Sequence, residues 1–381
     1  MLKSFVPSFA KRGYMNWAEY GKALLAQCKA QEVPFQGCFE LTPFCNFQCN
    51  MCYIRLTPEQ AKLQGRMLNT QQWIRIAEEA KQMGTVTLEV TGGEAVTRPD
   101  FKVLYESFVK LGYLIHLRTN GYLICGDILE LLKRYRPRKI SISLYGASDE
   151  TYKRVCNVSD GFSVVSRNIL AMKEAGLNIR LSMTLTKENE SDLPILKQWA
   201  SDNDMSVEPF GALINPIRSA DRSIDRLRIK YADEEFEMPD QLKSIQHSVT
   251  DRESLMRPFW LCRGFGALFC ISWDGRMTLC NTYTETWEDP IKKGTEQAYH
   301  SLYKKLKNIQ RPDQCATCQY IEFCAACPSQ LQSATGTASK TSDDVCKFAR
   351  RKYKYFMLMQ SRKKDIDIDA VCNKGDDNLE D

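Results

Sequence analysis

Histidine is nearly missing from this sequence: His116, His247 and His300 are the only three in 381 residues. So small a supply leaves little room for imidazole-held zinc or histidine-based acid–base chemistry. Long apolar runs are missing as well, and nothing approaches the length a membrane span needs. Between Met1 and Trp17 the chain mixes Lys3, Lys11 and Arg12 with scattered apolar residues. It lacks the continuous apolar core of a secretion signal, which points to a cytoplasmic protein. Strong charge of one sign is absent too. A net charge of +5 is mild and calls for no nucleic acid, although an acidic partner could dock.

What the chain has in excess is cysteine, sixteen in all. In a small secreted protein these would read as disulfides, but this chain is large and carries no signal. In a reducing compartment, clustered cysteines more often hold metal. Eleven fall into two groups, Cys45 to Cys52 and Cys262 to Cys346. Cys28, Cys38, Cys125, Cys156 and Cys372 are scattered and read as small buried or incidental thiols.

A chain of this length exceeds one ordinary core, so two or more domains are expected. From about Gly37 to Ala220 strand-like and helix-like stretches alternate. Strands are expected at Cys38–Leu41, Val86–Thr91, Leu114–Thr119, Ile140–Leu144, Ile179–Thr186 and Val207–Leu213. Helical patterns run between them at Gln71–Met83, Asp100–Leu111, Ile128–Tyr135, Val164–Ala175 and Asp192–Ser201, and Gly84, Gly112 and Gly176 follow three of these where a left-handed cap is wanted. The alternation predicts an α/β fold of parallel βαβ units. Six units make an open barrel or an open doubly wound sheet, and periodicity does not choose between them. After Pro216 comes a charged, strand-poor stretch, and from Leu261 to Lys347 a cysteine-dense one built around metal rather than a large apolar core. Tyr353 to Lys364 reads as a basic closing helix, and the acidic tail from Asp365 as disordered. The expected division is a helical N-terminal extension (1–36), a barrel (37–225), a bridging segment (226–260), a cysteine-rich domain (261–350), and a basic helix with its tail (351–381).

Cys45, Cys49 and Cys52 are spaced Cys-x3-Cys-x2-Cys directly after the first strand, with Tyr53 following. Three thiolates on one loop can hold three irons of a 4Fe–4S cube and leave the fourth iron open. A zinc site completed from a distance is the alternative, but zinc favours four ligands in paired spacings. Position adds to spacing, because ligands of parallel α/β folds gather at the carboxyl ends of strands. Gly92-Gly93-Glu94 follows the second strand, Asn120-Gly121 the third, and Ser143 closes the fourth. The two glycines allow close backbone approach, and Glu94 offers a carboxylate to a cationic amine.

On these residues, 38–210 resemble the radical SAM superfamily. The resemblance implies a partial (β/α)6 TIM-like barrel whose 4Fe–4S cluster chelates the amino and carboxylate groups of S-adenosylmethionine. It implies that Tyr53 lies by the adenine, that Gly92, Gly93 and Glu94 meet the methionine amine, and that Ser143 faces the ribose or carboxylate. Asn120, Arg154 and Thr184 are further candidates for that pocket, with surface or structural roles as the alternative. Reductive cleavage would yield methionine and a 5′-deoxyadenosyl radical able to take hydrogen from an unactivated carbon. The electron would come from a flavodoxin or ferredoxin-type donor, in a setting protected from oxygen.

The downstream cysteines are Cys262, Cys270, Cys280, Cys315, Cys318, Cys324, Cys327 and Cys346. Eight thiolates match two further 4Fe–4S clusters. A zinc ribbon is the alternative for the two Cys-x2-Cys pairs, but only five residues separate them and more cysteines flank both sides. The stretch resembles the SPASM domain through Cys262, Gly275-x4-Cys280, Cys315-x2-Cys318-x5-Cys324 and Cys346, although Cys327 comes one residue early. That resemblance implies an inner cluster on Cys262, Cys280 and Cys327 and an outer one on Cys315, Cys318, Cys324 and Cys346. Cys270 would be the fourth inner ligand, or else a thiol acting as hydrogen donor beside an open iron.

Proteins of this combined type mostly resemble one another in acting on peptides. The expected function is therefore a maturase that forms a thioether or C–C cross-link in a ribosomally made peptide. An anaerobic sulfatase-maturing enzyme, a peptide epimerase and a small-molecule dehydrogenase are the alternatives, with a clustered electron carrier from outside enzymology. The sulfatase-maturing family carries an Asp as general base directly after the cysteine matching Cys280, and here that residue is Asn281. Only some 36 residues precede the barrel, so a separate leader-binding protein or direct docking is expected. The basic run Arg350, Arg351, Lys352, Lys354, Arg362, Lys363 and Lys364 could hold an acidic leader, or be a solvated helix face.

Overall fold

The computed structural model describes residues 17–211, 213–217, 224–229, 255–257, 262, 264–324 and 327–372. The start of the expected N-terminal extension, most of the bridging segment, the end of the tail and the side chains of Arg362, Lys363 and Lys364 lie outside the described residues.

Six strands form in the places the alternation predicts: β1 (Gln36–Glu40), β2 (Thr87–Thr91), β3 (Leu114–Thr119), β4 (Lys139–Leu144), β5 (Ile179–Thr184) and β6 (Val207–Phe210). Each pairs in parallel with the next in chain order. That order decides between the two architectures. Right-handed crossovers between sequential neighbours put every connecting helix on one face, so the sheet curls into an open half-barrel. A doubly wound sheet would reverse its strand order instead.

Strand alternation divides the two faces. On β4 the buried residues are Ile140, Ile142 and Leu144, with Lys139, Ser141 and Ser143 between them. The apolar face packs under the helices that carry Trp73, Phe101, Leu104 and Phe108. Phe39 of β1 meets Phe108 edge-on at 5.6 Å and Trp73 at 5.1 Å. Each large apolar side chain so buried contributes about 1.5–3 kcal/mol. The opposite face is polar and includes Cys38, Glu40, Glu89, His116, Arg118, Ser141 and Ser143.

Helices α1 (Trp17–Gln31), α2 (Pro58–Gln64), α3 (Thr70–Gln82), α4 (Phe101–Lys110), α5 (Gly126–Arg134), α6 (Asp149–Cys156), α7 (Gly161–Glu174) and α8 (Leu193–Asp202) belong to this half. Capping boxes start α2 (Thr57 with Gln60) and α3 (Asn69 with Gln72). The helix α6 is absent from the sequence expectation, because its polar, short pattern carries little periodicity.

The cysteine-rich stretch contributes two strands that its sequence did not announce. β7 (Leu268–Ile271) adds in parallel to the free side of β1, and β8 (Met277–Thr278) follows antiparallel. The sheet therefore runs β6-β5-β4-β3-β2-β1-β7-β8. Beyond it come α9 (Pro290–Lys293), α10 (Thr295–Lys307), α11 (Pro328–Thr335) and α12 (Asp343–Cys372). α12 begins before Tyr353 and continues past Asp365, into residues that composition assigns to a disordered tail. No helix among the described residues is long and apolar enough to cross a membrane.

Candidate functional site

The loop after β1 carries Cys45, Cys49 and Cys52 and is held from two sides. Gln48 N donates to Cys156 O and Asn50 N to Val155 O, both at 2.9 Å, which ties the loop to the end of α6. Phe47 is buried between Tyr122, Tyr145 and Tyr152, edge-on to each at 5.6, 6.2 and 6.1 Å. Donors converge on the sulfurs: Phe47 N on Cys45 Sγ at 3.3 Å, Asn120 Nδ2 on Cys45 Sγ at 3.7 Å, and Arg55 N on Cys52 Sγ at 3.3 Å. The Cys49 thiol donates to Cys156 Sγ at 3.4 Å, and that bond with burial holds its proton on. Burial, then the Glu94 carboxylate, pushes the Cys45 thiol up as well. Coordination to a cation reverses such shifts. Three thiols on one loop with backbone donors around them are a donor set that fits a 4Fe–4S cube.

The Gly92-Gly93-Glu94 turn lies against this loop like an added strand. Gly93 N donates to Thr42 O at 2.6 Å and Glu94 N to Phe44 O at 2.8 Å. A Cβ on Gly93 would come within 2.2 Å of the Phe44 carbonyl oxygen, so only glycine fits. Glu94 is buried and accepts from Asn120 N at 2.7 Å and Thr119 Oγ1 at 3.0 Å. Burial lifts its carboxyl to about 7 against the pull of those donors. Asn120 completes the junction by donating to Asn46 Oδ1 at 2.8 Å. The structure thus brings Cys45, Gly93, Glu94 and Asn120 together.

The other pocket candidates are more spread out. Ser143 sits on β4 opposite Ser182 of β5, and Thr184 ends β5 opposite Phe210. Arg154 spends its guanidinium on Glu188 O and Thr151 Oγ1, which fastens α6 to the loop after β5. Tyr53 is half-buried, and burial of its hydroxyl followed by Glu40 pushes that group well up. That hydroxyl accepts from Asn281 Nδ2 at 2.9 Å, so the two cysteine segments meet there.

Sequence reasoning missed a network on the polar face. His116 Nδ1 lies 3.3 Å from Glu89 Oε2, and its Nε2 is 2.8 Å from Ser141 Oγ. Arg118 Nε reaches Glu89 Oε1 at 2.8 Å. Burial opposes ionisation of Glu89, but the His116 hydrogen bond and the Arg118 charge hold its carboxyl below the usual range. The signal was available in the strand alternation, which puts these residues on one face once β2, β3 and β4 are in register.

The downstream cysteines fall into separate neighbourhoods. Burial pushes the Cys280 thiol up to about 11, with Cys327 and Cys262 adding to it. Burial likewise pushes Cys315 up to about 11, opposed by Arg311 and reinforced by Cys324, Cys318 and Cys346. Cys270 stands elsewhere. It lies buried on β7 in register with Cys38 of β1, and a hydrogen bond with Cys270 followed by burial raises the Cys38 thiol.

A parallel half-barrel with a three-cysteine loop and a Gly-Gly-Glu turn at the carboxyl ends of its first strands defines an enzyme working from an iron–sulfur mouth. The Radical SAM superfamily model matches residues 39–200, so that stretch carries a radical SAM domain. Such a domain implies a 4Fe–4S cluster and S-adenosylmethionine. The chain is 26% identical over 200 residues to the antilisterial bacteriocin subtilosin biosynthesis protein AlbA of Bacillus subtilis, covering 50% of this chain and 44% of AlbA. It is 28% identical over 169 residues to the PqqA peptide cyclase of Granulibacter bethesdensis, covering 44% of each. The chain therefore spans less than half the length of these two relatives. Its fold is similar to that of Streptococcus suis SuiB bound to S-adenosylmethionine, with a TM-score of 0.63 and 15% identity over 88% of this chain and 84% of SuiB.

Proposed function

We propose that this protein modifies a ribosomally made peptide by closing a thioether or C–C cross-link. The observation that carries the reading is the grouping of cysteines: one open set of three at the barrel mouth, and two further sets in the segment that adds β7 and β8 to the barrel. Cross-link formation removes a hydrogen atom, a proton and an electron from the peptide, and the further sets are suited to the electron. When bound, the clusters and S-adenosylmethionine supply one-electron chemistry and hydrogen abstraction.

The chain's own residues then divide the remaining work. Glu94 is the group for the methionine ammonium, with Gly92 and Gly93 letting the ligand approach the backbone. Asn120 joins them at this junction, Ser143 and Thr184 are assigned to the same ligand from the carboxyl-terminal parts of β4 and β5, and Arg154 keeps α6 in place behind the loop. Cys262, Cys280 and Cys327 hold one auxiliary 4Fe–4S cluster, and Cys315, Cys318, Cys324 and Cys346 the other. Cys270, beside Cys38, acts as a buried thiol rather than as a ligand. A separate leader-binding protein and a flavodoxin or ferredoxin-type donor complete the system. Relatives named for a bacteriocin and for a peptide cyclase support a peptide substrate.

Formylglycine formation is the second reading. Asn281 cannot act as its base, because a carboxamide has no basic atom near neutral pH; its Nδ2 instead donates to the Tyr53 hydroxyl. His116, oriented by Glu89 on the barrel's polar face, keeps the reading open. Anaerobic turnover with a Cys-bearing peptide and with a sulfatase-type peptide, read by mass spectrometry, separates them: a loss of two hydrogens on the first supports cross-linking, and an aldehyde on the second supports the alternative.

A further inference from the structure

Two buried cations flank the cysteine set of Cys315, Cys318, Cys324 and Cys346. Arg311 is 3% exposed. Its Nη2 donates to Cys324 O at 3.0 Å, while Nε and Nη1 have no hydrogen-bond partner among the described residues. Lys352 of α12 is 4% exposed, and its Nζ also lacks such a partner among the described residues. The ring of Phe348 lies 5.4 Å from that Nζ. Arg311 is within electrostatic reach of Cys315, and Lys352 of Cys324.

Burying an unpaired cation carries a heavy desolvation cost. Two such cations around four neutral thiols make an unbalanced site. Four thiolates on a 4Fe–4S core of charge about 2+ carry about two net negative charges, and the reduced form about three. The mismatch therefore has one sign and about one size.

We infer that Arg311 and Lys352 are built-in counter-charges for an anionic cluster on these four cysteines, and that they hold its reduction potential up. The inference rests on the reading that the four cysteines bind a 4Fe–4S cluster. The step concerned is a one-electron reduction: the substrate radical is oxidised as the cross-link closes, the cluster gains that electron, and no bond or proton moves at this site. Neighbouring positive charge favours the more negative form, so these residues make the set an acceptor for the electron.

The test uses the full chain with Cys45, Cys49 and Cys52 changed to Ala, reconstituted anaerobically with iron and sulfide and titrated under electron paramagnetic resonance. Lys352→Met and Arg311→Gln should each weaken the one-electron reduction of one auxiliary cluster about tenfold, a downward shift of about 59 mV, and leave the other cluster unmoved. Both clusters present with both potentials unchanged would overturn the inference. If a neutral variant loses about four irons, recovery in Lys352→Arg or Arg311→Lys supports the charge role, and continued loss in those variants contradicts it. Only one cluster in the parent protein would instead remove the underlying reading.

Discussion

Glu94 links burial to ligand affinity in a way that pH can expose. Its carboxyl is lifted to about 7 by burial, so the ligand-free protein holds it largely protonated at pH 6 and largely ionised at pH 8. An ammonium group needs the ionised form. Binding of S-adenosylmethionine to reconstituted protein should therefore tighten about tenfold from pH 6 to pH 8, and Glu94→Gln should bind weakly with that rise removed. Calorimetry at both pH values checks this, and equal pH dependence in the two proteins counts against Glu94 as the ammonium site. At Gly93 a side chain would strike the Phe44 carbonyl. Gly93→Ala should separate the turn from the cysteine loop and cost about 1–3 kcal/mol, read by denaturant melting. The cysteine spacing and the Gly-Gly-Glu turn were legible in the sequence because their chemistry is contiguous. The His116–Glu89–Ser141 network was not, because it exists only when three strands are placed side by side.

Elements explain how a loop without regular structure keeps three thiols in one place. The cysteine loop is tied to α6 by two backbone bonds and anchored by Phe47 among three tyrosines. Phe47→Ala should lower stability by about 3–5 kcal/mol and reduce iron retention at the three-cysteine site, as measured by denaturant unfolding and iron assay. Retained iron with unchanged unfolding would show that the anchor lies elsewhere. Strand and helix alternation placed β1 to β6 from sequence, since short stretches with apolar residues at every second position stand between amphipathic helices. β7 and β8 were hidden, because their four and two residues are too short to show a period. Their place beside β1 depends on an edge hydrogen-bonding row, which no local pattern records. The same edge explains why Cys270 pairs with Cys38 rather than with the cysteines next to it in sequence.

At the scale of the molecule, cysteine groups distributed over barrel and extension lead to a count of metal. Anaerobically reconstituted protein should hold about twelve irons, and changing Cys45, Cys49 and Cys52 together to Ala should remove about four and abolish cleavage of S-adenosylmethionine. Stoichiometric zinc with a single cluster would contradict the grouping in the cysteine-rich segment. Substrate identity was the least legible feature, because a peptide is recognised by surfaces assembled from distant segments rather than by a motif. The central claim is that the barrel mouth and the auxiliary cysteines together oxidise a peptide by two hydrogens. Its most direct measurement is mass spectrometry of a short Cys-bearing peptide encoded beside the gene, after anaerobic turnover with S-adenosylmethionine and a low-potential reductant. The account predicts a product two hydrogens lighter, with one cysteine closed to alkylation where the bond is a thioether. An unaltered peptide in that reaction, with efficient aldehyde formation on a sulfatase-type peptide by the same preparation, would contradict it.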